Sequence, residues 1–268
     1  MLFRSAEPRS LSSSSPIRAH LLPTSAGPIA PARALELLHG AHELRPVGQL
    51  VDASNLTLLC EIGEAPHRVI YKPTRGEQPL WDFPDGTLAA REVAAFELSE
   101  ALGLNVVPPT ILRGGPAGEG AVQLWIEHRG VEEAIRMVNG ADEALRPLAL
   151  FDAIVNNGDR KAGHILPIDA PTGVRVLGVD HGVTFAVDPK LRTVLWAWRS
   201  KPFTEAERDV LARAVQLLAQ GAPLAERLAE LIAEEEILAL RARAEALESA
   251  GSFPEPSDDW PPLPWPLV

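Results

Sequence analysis

The stretch FDAIVNNGDRKAGHIL, residues 151–166, decides how this sequence is interpreted. An apolar helical pattern ends there in a run of asparagine and glycine, and a cluster of charged and titratable side chains follows from Asp159 to His164. A polar cluster between two apolar runs is costly unless it is solvated or forms a site. Further along, the stretch VLGVDHGVTF, residues 176–185, ends an apolar strand pattern with Asp180.

Asp159 and Asp180 form a pair of carboxylates that suits phosphoryl transfer. One can orient or deprotonate an acceptor hydroxyl while the other holds a divalent metal on nucleotide phosphates. Upstream, Lys72 ends the strand pattern VIYKP and Glu92 lies in the helical pattern AAREVAAFELSEALG, a spacing typical of a strand lysine paired with a helix glutamate. Each of these two residues taken alone would be an ordinary solvated side chain. The chain has only four lysines, and the pair favours a site.

The composition excludes several classes of protein. A net charge of -11 disfavours nucleic acid and anionic membranes as partners, and no apolar run is long enough to span a bilayer. The single cysteine, Cys60, excludes an intramolecular disulfide framework and suits a reducing compartment. These observations predict a cytoplasmic protein with no nucleic-acid or membrane partner.

The first half of the chain is predicted to form a sheet with one main helix. Residues 1–30 are rich in proline and serine and are predicted to be disordered. Residues 31–128 form the predicted N-lobe, with a short helix ending near Gly40, five strands separated by turn residues, and the helix that carries Glu92.

The second half, residues 129–250, is the predicted C-lobe and is mostly helical. A linker, EHRGVEEAIRMVNGAD (residues 127–142), leads into it, and it contains a helix before the Asp159 loop and a strand before Asp180. A capping box of Thr204 and Glu207 and a long helix over about 223–249 follow. Residues 251–268 form a proline- and tryptophan-rich tail that cannot be helical, and its tryptophans indicate that it lies in a groove. The fold class is therefore α+β, with an antiparallel sheet.

The turn DASN, residues 52–55, separates the first two strands. Ser54 and Asn55, together with nearby backbone N–H groups, could cap phosphate oxygens there. No G-x-G-x-x-G motif is present, and an ordinary Asx turn explains the same residues equally well.

These motifs resemble the phosphoinositide-kinase-like branch of the protein-kinase-like fold, which includes HipA-like serine kinases. GDRKAGH and DHG match the G-D-R-H-N-x-N and D-F-G motifs of phosphoinositide kinases. Over residues 45–205 the chain is more closely similar to an uncharacterised actinobacterial family that is phosphoinositide-3/4-kinase-like. The shared motifs are Y-K-P, W-D-F-P-D-G-T-L-A-x-R-E, Q-L-W, N-N-x-D-R-K-x-G-H and V-D-H-G. The resemblance implies a two-lobed fold with ATP bound between the lobes.

The resemblance also implies a role for each matched residue. Lys72 would contact the α- and β-phosphates and pair with Glu92, while Trp125, Ile126 and Glu127 would form the hinge beside the adenine. Asp159 would be the catalytic carboxylate, with Asp180 as the main metal ligand.

Two positions depart from the pattern. His164 replaces an asparagine metal ligand, which favours Mn²⁺ over Mg²⁺. Lys161 replaces a histidine and is expected to stabilise the transferring phosphoryl group. Both changes are equally compatible with weakened catalysis.

Together these features predict an ATP-dependent phosphotransferase that uses Mg²⁺ or Mn²⁺. The acceptor is unknown, either a protein or a small molecule, and nothing in the sequence supports a lipid. The alternative is a pseudokinase that binds nucleotide as a sensor or scaffold. A non-catalytic helical adaptor would leave the four-residue constellation unexplained. The basic residues in 181–203 predict a loop that receives an anionic acceptor; a solvated loop explains them equally well.

Overall fold

The computed structural model of the protein describes residues 29–50 and 55–268. The predicted disordered segment, apart from its last two residues, and Ser54 lie outside the described residues. The strands are β1 Arg45–Gln49, β2 Leu58–Ile62, β3 His67–Pro73, β4 Thr110–Gly115, β5 Gly118–Leu124, β6 Ile165–Ala170 and β7 Gly173–Gly178. The α-helices are α1 Pro31–His39, α2 Leu88–Ala101, α3 Val131–Asn139, α4 Arg146–Val155, α5 Glu205–Leu217, α6 Pro223–Leu228 and α7 Glu234–Ala250.

The first five strands form one antiparallel sheet in the order β1-β2-β3-β5-β4. Alternation along β3 directs Tyr71 to one face and Lys72 to the other. The Tyr71 face joins Val122 and Leu38 of α1 in one apolar cluster. Helix α2 covers the opposite face, because its Glu92 meets Lys72 there. The sheet therefore presents its lysine towards the main helix.

The helical half packs around α4, whose residues from Leu148 to Val155 are all buried. Phe151 of α4, Leu98 of α2 and Leu240 of α7 belong to one continuous core, and each has no exposed surface. Full burial of such a side chain contributes roughly 1.5–3 kcal/mol. The hairpin β6–β7 packs against α4, and it connects the Asp159 loop before β6 to Asp180 after β7.

Helix α2 is tied to the helical half by two ion pairs. Arg91, almost fully buried, donates to the carbonyl oxygen of Thr184 at 2.7 Å and to Glu236 Oε1 of α7 at 2.6 Å. Arg227 of α6 reaches Glu97 at 2.8 Å. These contacts fix the helix that carries Glu92 relative to the segment that follows β7.

The predicted α+β fold, with an antiparallel sheet, one main helix and a mostly helical second half, is confirmed. Two local predictions were wrong, and one strand was missed. The linker contains α3, whose first turn carries Glu132 and Glu133. The predicted helix over 223–249 breaks into α6 and α7, because Glu236 accepts the backbone N–H of Ala233 at 3.0 Å and starts a new helix. Strand β6, which pairs with β7, was not predicted.

Within the described residues, helices that are both long and apolar enough to cross a membrane do not occur.

Candidate active site

Lys72 and Glu92 form the centre of a charged cluster between the sheet and the helical half. Lys72 Nζ bonds Glu92 Oε1 and lies 2.8 Å from Asp180 Oδ1. Burial alone would lower the pKa of Lys72, but the carboxylates of Asp180 and Glu92 outweigh burial and raise this pKa above its ordinary value. The lysine therefore carries a full positive charge at neutral pH.

Glu92 joins three parts of the fold. Its side chain is almost fully buried, and its second oxygen accepts the backbone N–H of His181 at 2.9 Å. One carboxylate thus holds both the β3 lysine and the loop after β7. Because a buried carboxylate needs such partners, α2, β3 and this loop keep one relative position.

Asp180 lies in the loop that follows β7, with a backbone φ of 61°. A non-glycine residue in this left-handed region is strained, and such residues concentrate at functional sites. The ammonium of Lys72 holds the pKa of Asp180 well below its usual range, against the opposing effect of burial. Half of the side chain is exposed, so water screens part of this attraction and reaches the carboxylate.

His164 completes the cluster from the other side. Its Nε2 lies 3.3 Å from Asp180 Oδ2. Burial lowers the pKa of His164 despite the neighbouring carboxylates of Asp180 and Asp159, so the imidazole is neutral at pH 7. Its Nδ1 is buried and has no hydrogen-bond partner among the described residues.

The Asp159 loop begins where α4 ends. Asn156 adopts the left-handed conformation at the helix end, with φ 55°. Asn157 Oδ1 then accepts the backbone N–H of Asp159 at 2.9 Å. Lys161 Nζ lies 2.9 Å from Asp159 Oδ2, and both side chains are partly exposed. The predicted catalytic pair is therefore in contact at the protein surface.

A divalent cation fits the donors that this cluster offers. Carboxylate oxygens and a neutral imidazole are suitable ligands for Mn²⁺ or Mg²⁺. Within the described part of the chain, no group of three or more His, Cys, Asp or Glu side chains could hold an ion alone. Asp180 and His164 therefore suit a metal that completes its coordination with nucleotide phosphates and water, as Mg²⁺ commonly does.

A buried network beneath the loop was missed by the sequence analysis. Arg160 and Asp152 have no exposed surface and form a two-point ion pair at 2.8 and 2.9 Å. Arg160 also donates to the carbonyl oxygen of Val179 at 2.6 Å and lies 2.8 Å from Nε2 of His181. The network joins the residue after Asp159 to the residues on either side of Asp180.

One feature of the sequence could have revealed this network. Asp152 is an acid within the apolar helix LALFDAIV, where a charge is costly without a partner.

Burial and the charge of Arg160 hold the pKa of His181 well below its usual range, so its ring is neutral.

The predicted hinge lies at the end of β5. The backbone N–H of Trp125 donates to the carbonyl oxygen of Arg68 at 3.0 Å, and its indole Nε1 donates to Glu127 at 3.0 Å. Within the described chain, Trp125, Ile126 and Glu127 make no hydrogen bond to the charged cluster. They lie on the segment that connects the sheet to α3.

Asn55 is engaged in a loop contact. Its Oδ1 accepts the backbone N–H of Gln78 at 2.7 Å, which links the turn after β1 to the segment after β3. The structure therefore does not bring Asn55 into the charged cluster, and its neighbour Ser54 lies outside the described residues. The phosphate-capping role of this turn stays a prediction.

The segment predicted to receive an anionic acceptor, residues 181–203, makes contacts with other parts of the chain. Lys190 is buried, lies 3.0 Å from Asp82 and sits over the rings of Trp81 and Trp260. Arg192 donates to the carbonyl oxygen of Leu263 in the tail. These two bases contact the chain itself, and the role of the segment in receiving an anionic acceptor stays a prediction.

Comparison with known proteins places the chain in a family. The chain is 42% identical over 262 residues to protein Rv2133c of Mycobacterium tuberculosis, covering 84% of this chain and 92% of that protein. The chain belongs to the Rv2133c family. No protein-family profile matches the sequence.

Solved structures show the same fold at low sequence identity. Hydra Fam20, solved with a sugar, superposes with a TM-score of 0.53 at 15% identity, over 82% of this chain and 87% of that one. The Golgi casein kinase with Mn/ADP bound gives a TM-score of 0.53 at 13% identity, over 82% and 74%. The predicted protein-kinase-like fold of this Rv2133c relative is therefore confirmed.

Proposed function

We propose that the chain is an ATP-dependent phosphotransferase of the atypical, phosphoinositide-kinase-like group. The observation that carries the proposal is the convergence of Lys72, Glu92 and Asp180 within hydrogen-bond distance on a protein-kinase-like fold. Residues from β3, α2 and the loop after β7 are separated in sequence, and a merely structural ion pair does not require all three. The strained backbone of Asp180 adds support.

The proposal gives each residue of the site a role. Lys72 supplies a fixed positive charge for nucleotide phosphates, and Glu92 keeps it in place. Asp180 and His164 would hold a divalent cation, which would neutralise phosphate charge when bound. Asp159 orients the acceptor hydroxyl and takes its proton, while Lys161 stabilises the charge of the transferring group. Trp125, Ile126 and Glu127 line the adenine side.

The proposal extends to cofactors and setting. The Mn/ADP bound by the Golgi casein kinase supports ATP with Mn²⁺ or Mg²⁺ as the cofactors. The buried free thiol of Cys60 suits a cytoplasmic location. The net charge of -11 disfavours nucleic acid, lipid and membrane partners.

A pseudokinase is the second candidate, and one contact favours it. The carboxylate of Asp159 is paired with Lys161 at 2.9 Å, so one of its oxygens is already engaged and is not free to meet an acceptor hydroxyl. A protein that binds nucleotide at Lys72 but transfers phosphate poorly would fit that arrangement.

Nucleotide binding is tested by titrating ATP with Mn²⁺ or Mg²⁺ into the protein in a calorimeter. Lys72→Met should abolish most of the heat, because the charge that meets the phosphates is lost. Lys201→Met is the matched control, since Lys201 is exposed and remote from the cluster in sequence. Its affinity should equal that of the wild type. Melting curves without nucleotide establish that both variants fold. Absence of ATP binding by the wild type with either metal would refute the proposal.

A further inference from the structure

Residues 260–268, here called the strap, run along the surface beside the Asp159 loop. Four groups of the protein donate hydrogen bonds to strap carbonyl oxygens. They are the backbone N–H of Thr193 to Pro262 at 3.0 Å, Trp196 Nε1 to Pro262 at 2.9 Å, Arg192 Nη2 to Leu263 at 3.2 Å, and the backbone N–H of Ala162 to Leu267 at 2.9 Å. These contacts recognise an extended backbone and not particular side chains.

The strap reaches the loop that carries the predicted catalytic carboxylate. The donor Ala162 lies three residues after Asp159. A Cβ placed on Gly163 would lie 3.6 Å from the carbonyl carbon of Val268, so the strap passes close to the backbone of this loop. The surface that these four donors line, here called the groove, therefore borders the loop that carries Asp159.

One aromatic side chain anchors the strap. The ring of Trp260 lies 6.4 Å from that of Trp81 and 5.1 Å from Lys190 Nζ, and Lys190 pairs with Asp82. A cation held between two aromatic rings is attracted to both faces. By contrast, Trp265 of the same strap is 83% exposed and contributes little to this attachment.

The strap lacks an acceptor hydroxyl and leaves hydrogen-bond donors at this surface unpaired. Its sequence, WPPLPWPLV, contains no serine, threonine or tyrosine and therefore offers no hydroxyl to phosphorylate. One buried donor beside the strap, Arg192 Nε, and one of the strap's own, Trp260 Nε1, have no hydrogen-bond partner among the described residues. An unpaired buried donor weakens the complex that leaves it so, and a better-matched segment would displace the strap.

We propose that this groove is the acceptor site for an extended polypeptide segment, and that the strap occupies it as a competitor without a hydroxyl. The proposal rests on the proposed phosphotransferase function and narrows its acceptor to a protein. The transfer would join the γ-phosphorus of ATP to an acceptor hydroxyl oxygen, release ADP, and leave the hydroxyl proton on Asp159.

The groove is tested without nucleotide by adding a labelled WPPLPWPLV peptide to the full-length chain and measuring fluorescence anisotropy. Trp260→Ala weakens the resident strap, so the peptide should bind this variant at least about tenfold more tightly than the wild type. Trp265→Ala is the matched control and should behave like the wild type. Hydrogen exchange at the amides of Ala162 and Thr193 should speed up in Trp260→Ala alone. Equal peptide affinity in all three proteins would overturn the proposal.

The acceptor assignment is tested with the same peptide carrying Leu267→Ser. In the presence of ATP and Mn²⁺, Trp260→Ala should phosphorylate it with a lower KM than the wild type does. Peptide binding without phosphorylation, by a protein that binds ATP, would overturn the assignment of the groove as an acceptor site. A protein that binds the peptide but no ATP would refute the phosphotransferase function, and the acceptor role with it, while peptide binding by the groove would stand.

Discussion

Breaking the buried pair of Asp152 and Arg160 is expected to cause a large loss of stability. Both side chains have no exposed surface, and the carboxylate also accepts a hydrogen bond from Asn157 at 3.0 Å. In Asp152→Ala the guanidinium of Arg160 stays buried without its counterion. Removing one partner of a buried pair costs about 3–5 kcal/mol, more than the pair itself contributes.

Thermal unfolding followed by circular dichroism measures this cost. At roughly 2–4 °C for each kcal/mol in a chain of about this size, the melting temperature should fall by about 6–20 °C. Glu97→Ala is the control, because it breaks the ion pair with the partly exposed Arg227, which is worth about 0–1 kcal/mol. The double variant Asp152→Leu with Arg160→Met should recover most of the loss, since no charge stays buried. An Asp152→Ala protein as stable as Glu97→Ala would refute the reasoning.

Three further predictions concern the sheet, the thiol and the metal. Gly120→Ala should lower the free energy of unfolding by about 1–3 kcal/mol and weaken ATP binding measured by calorimetry, because its Cβ would lie 2.4 Å from the carbonyl oxygen of Lys72. A Cβ at Gly114 meets nothing within 4 Å, so Gly114→Ala should change neither stability nor ATP binding. Burial raises the pKa of the Cys60 thiol to about 12. The buried neutral thiol therefore contributes its full stability below pH 9, and this contribution is lost as the pH rises towards 12. The urea midpoints of the wild type should fall more steeply over that range than those of Cys60→Ala. His164→Asn should raise the ratio of Mg²⁺- to Mn²⁺-supported phosphate transfer, and an unchanged ratio would assign the imidazole a structural role.

The sequence predicted the sheet and α2 because both carry their pattern locally. Val69 and Tyr71 of β3 alternate with Lys72, and the spacing of Val93 and Phe96 matches a helix. The break between α6 and α7 was missed although its cap is local, because the apolar spacing continues through it while Glu236 accepts the backbone N–H of Ala233. The second contact of Glu236, with Arg91 of α2, joins residues far apart in the sequence. A pattern of apolar residues contains no information about such a long-range ion pair.

The sequence likewise predicted the charged residues of the candidate site but not the residues that support them. Lys72, Glu92 and Asp180 were predicted as one group, and the fold brings them into contact. The support beneath them was missed, because Arg160 looked like part of a solvated polar run and is instead fully buried. The fate of Lys190 depends on Trp260 of the tail, which local sequence does not reveal.

The most direct test of the account compares two variants that keep side-chain volume. ATP affinity is measured by calorimetry, beside phosphate transfer, for the wild type, Asp180→Asn and Asp159→Asn. Asp180→Asn should weaken metal–nucleotide binding and transfer together, because it removes the half-exposed carboxylate charge beside Lys72 and His164. Asp159→Asn should lower transfer by a factor of roughly 10² or more with nearly unchanged ATP affinity, since its role is expressed in the transition state. A wild type that binds ATP but transfers no phosphate, so that Asp159→Asn changes nothing, would contradict the phosphotransferase account and establish a pseudokinase.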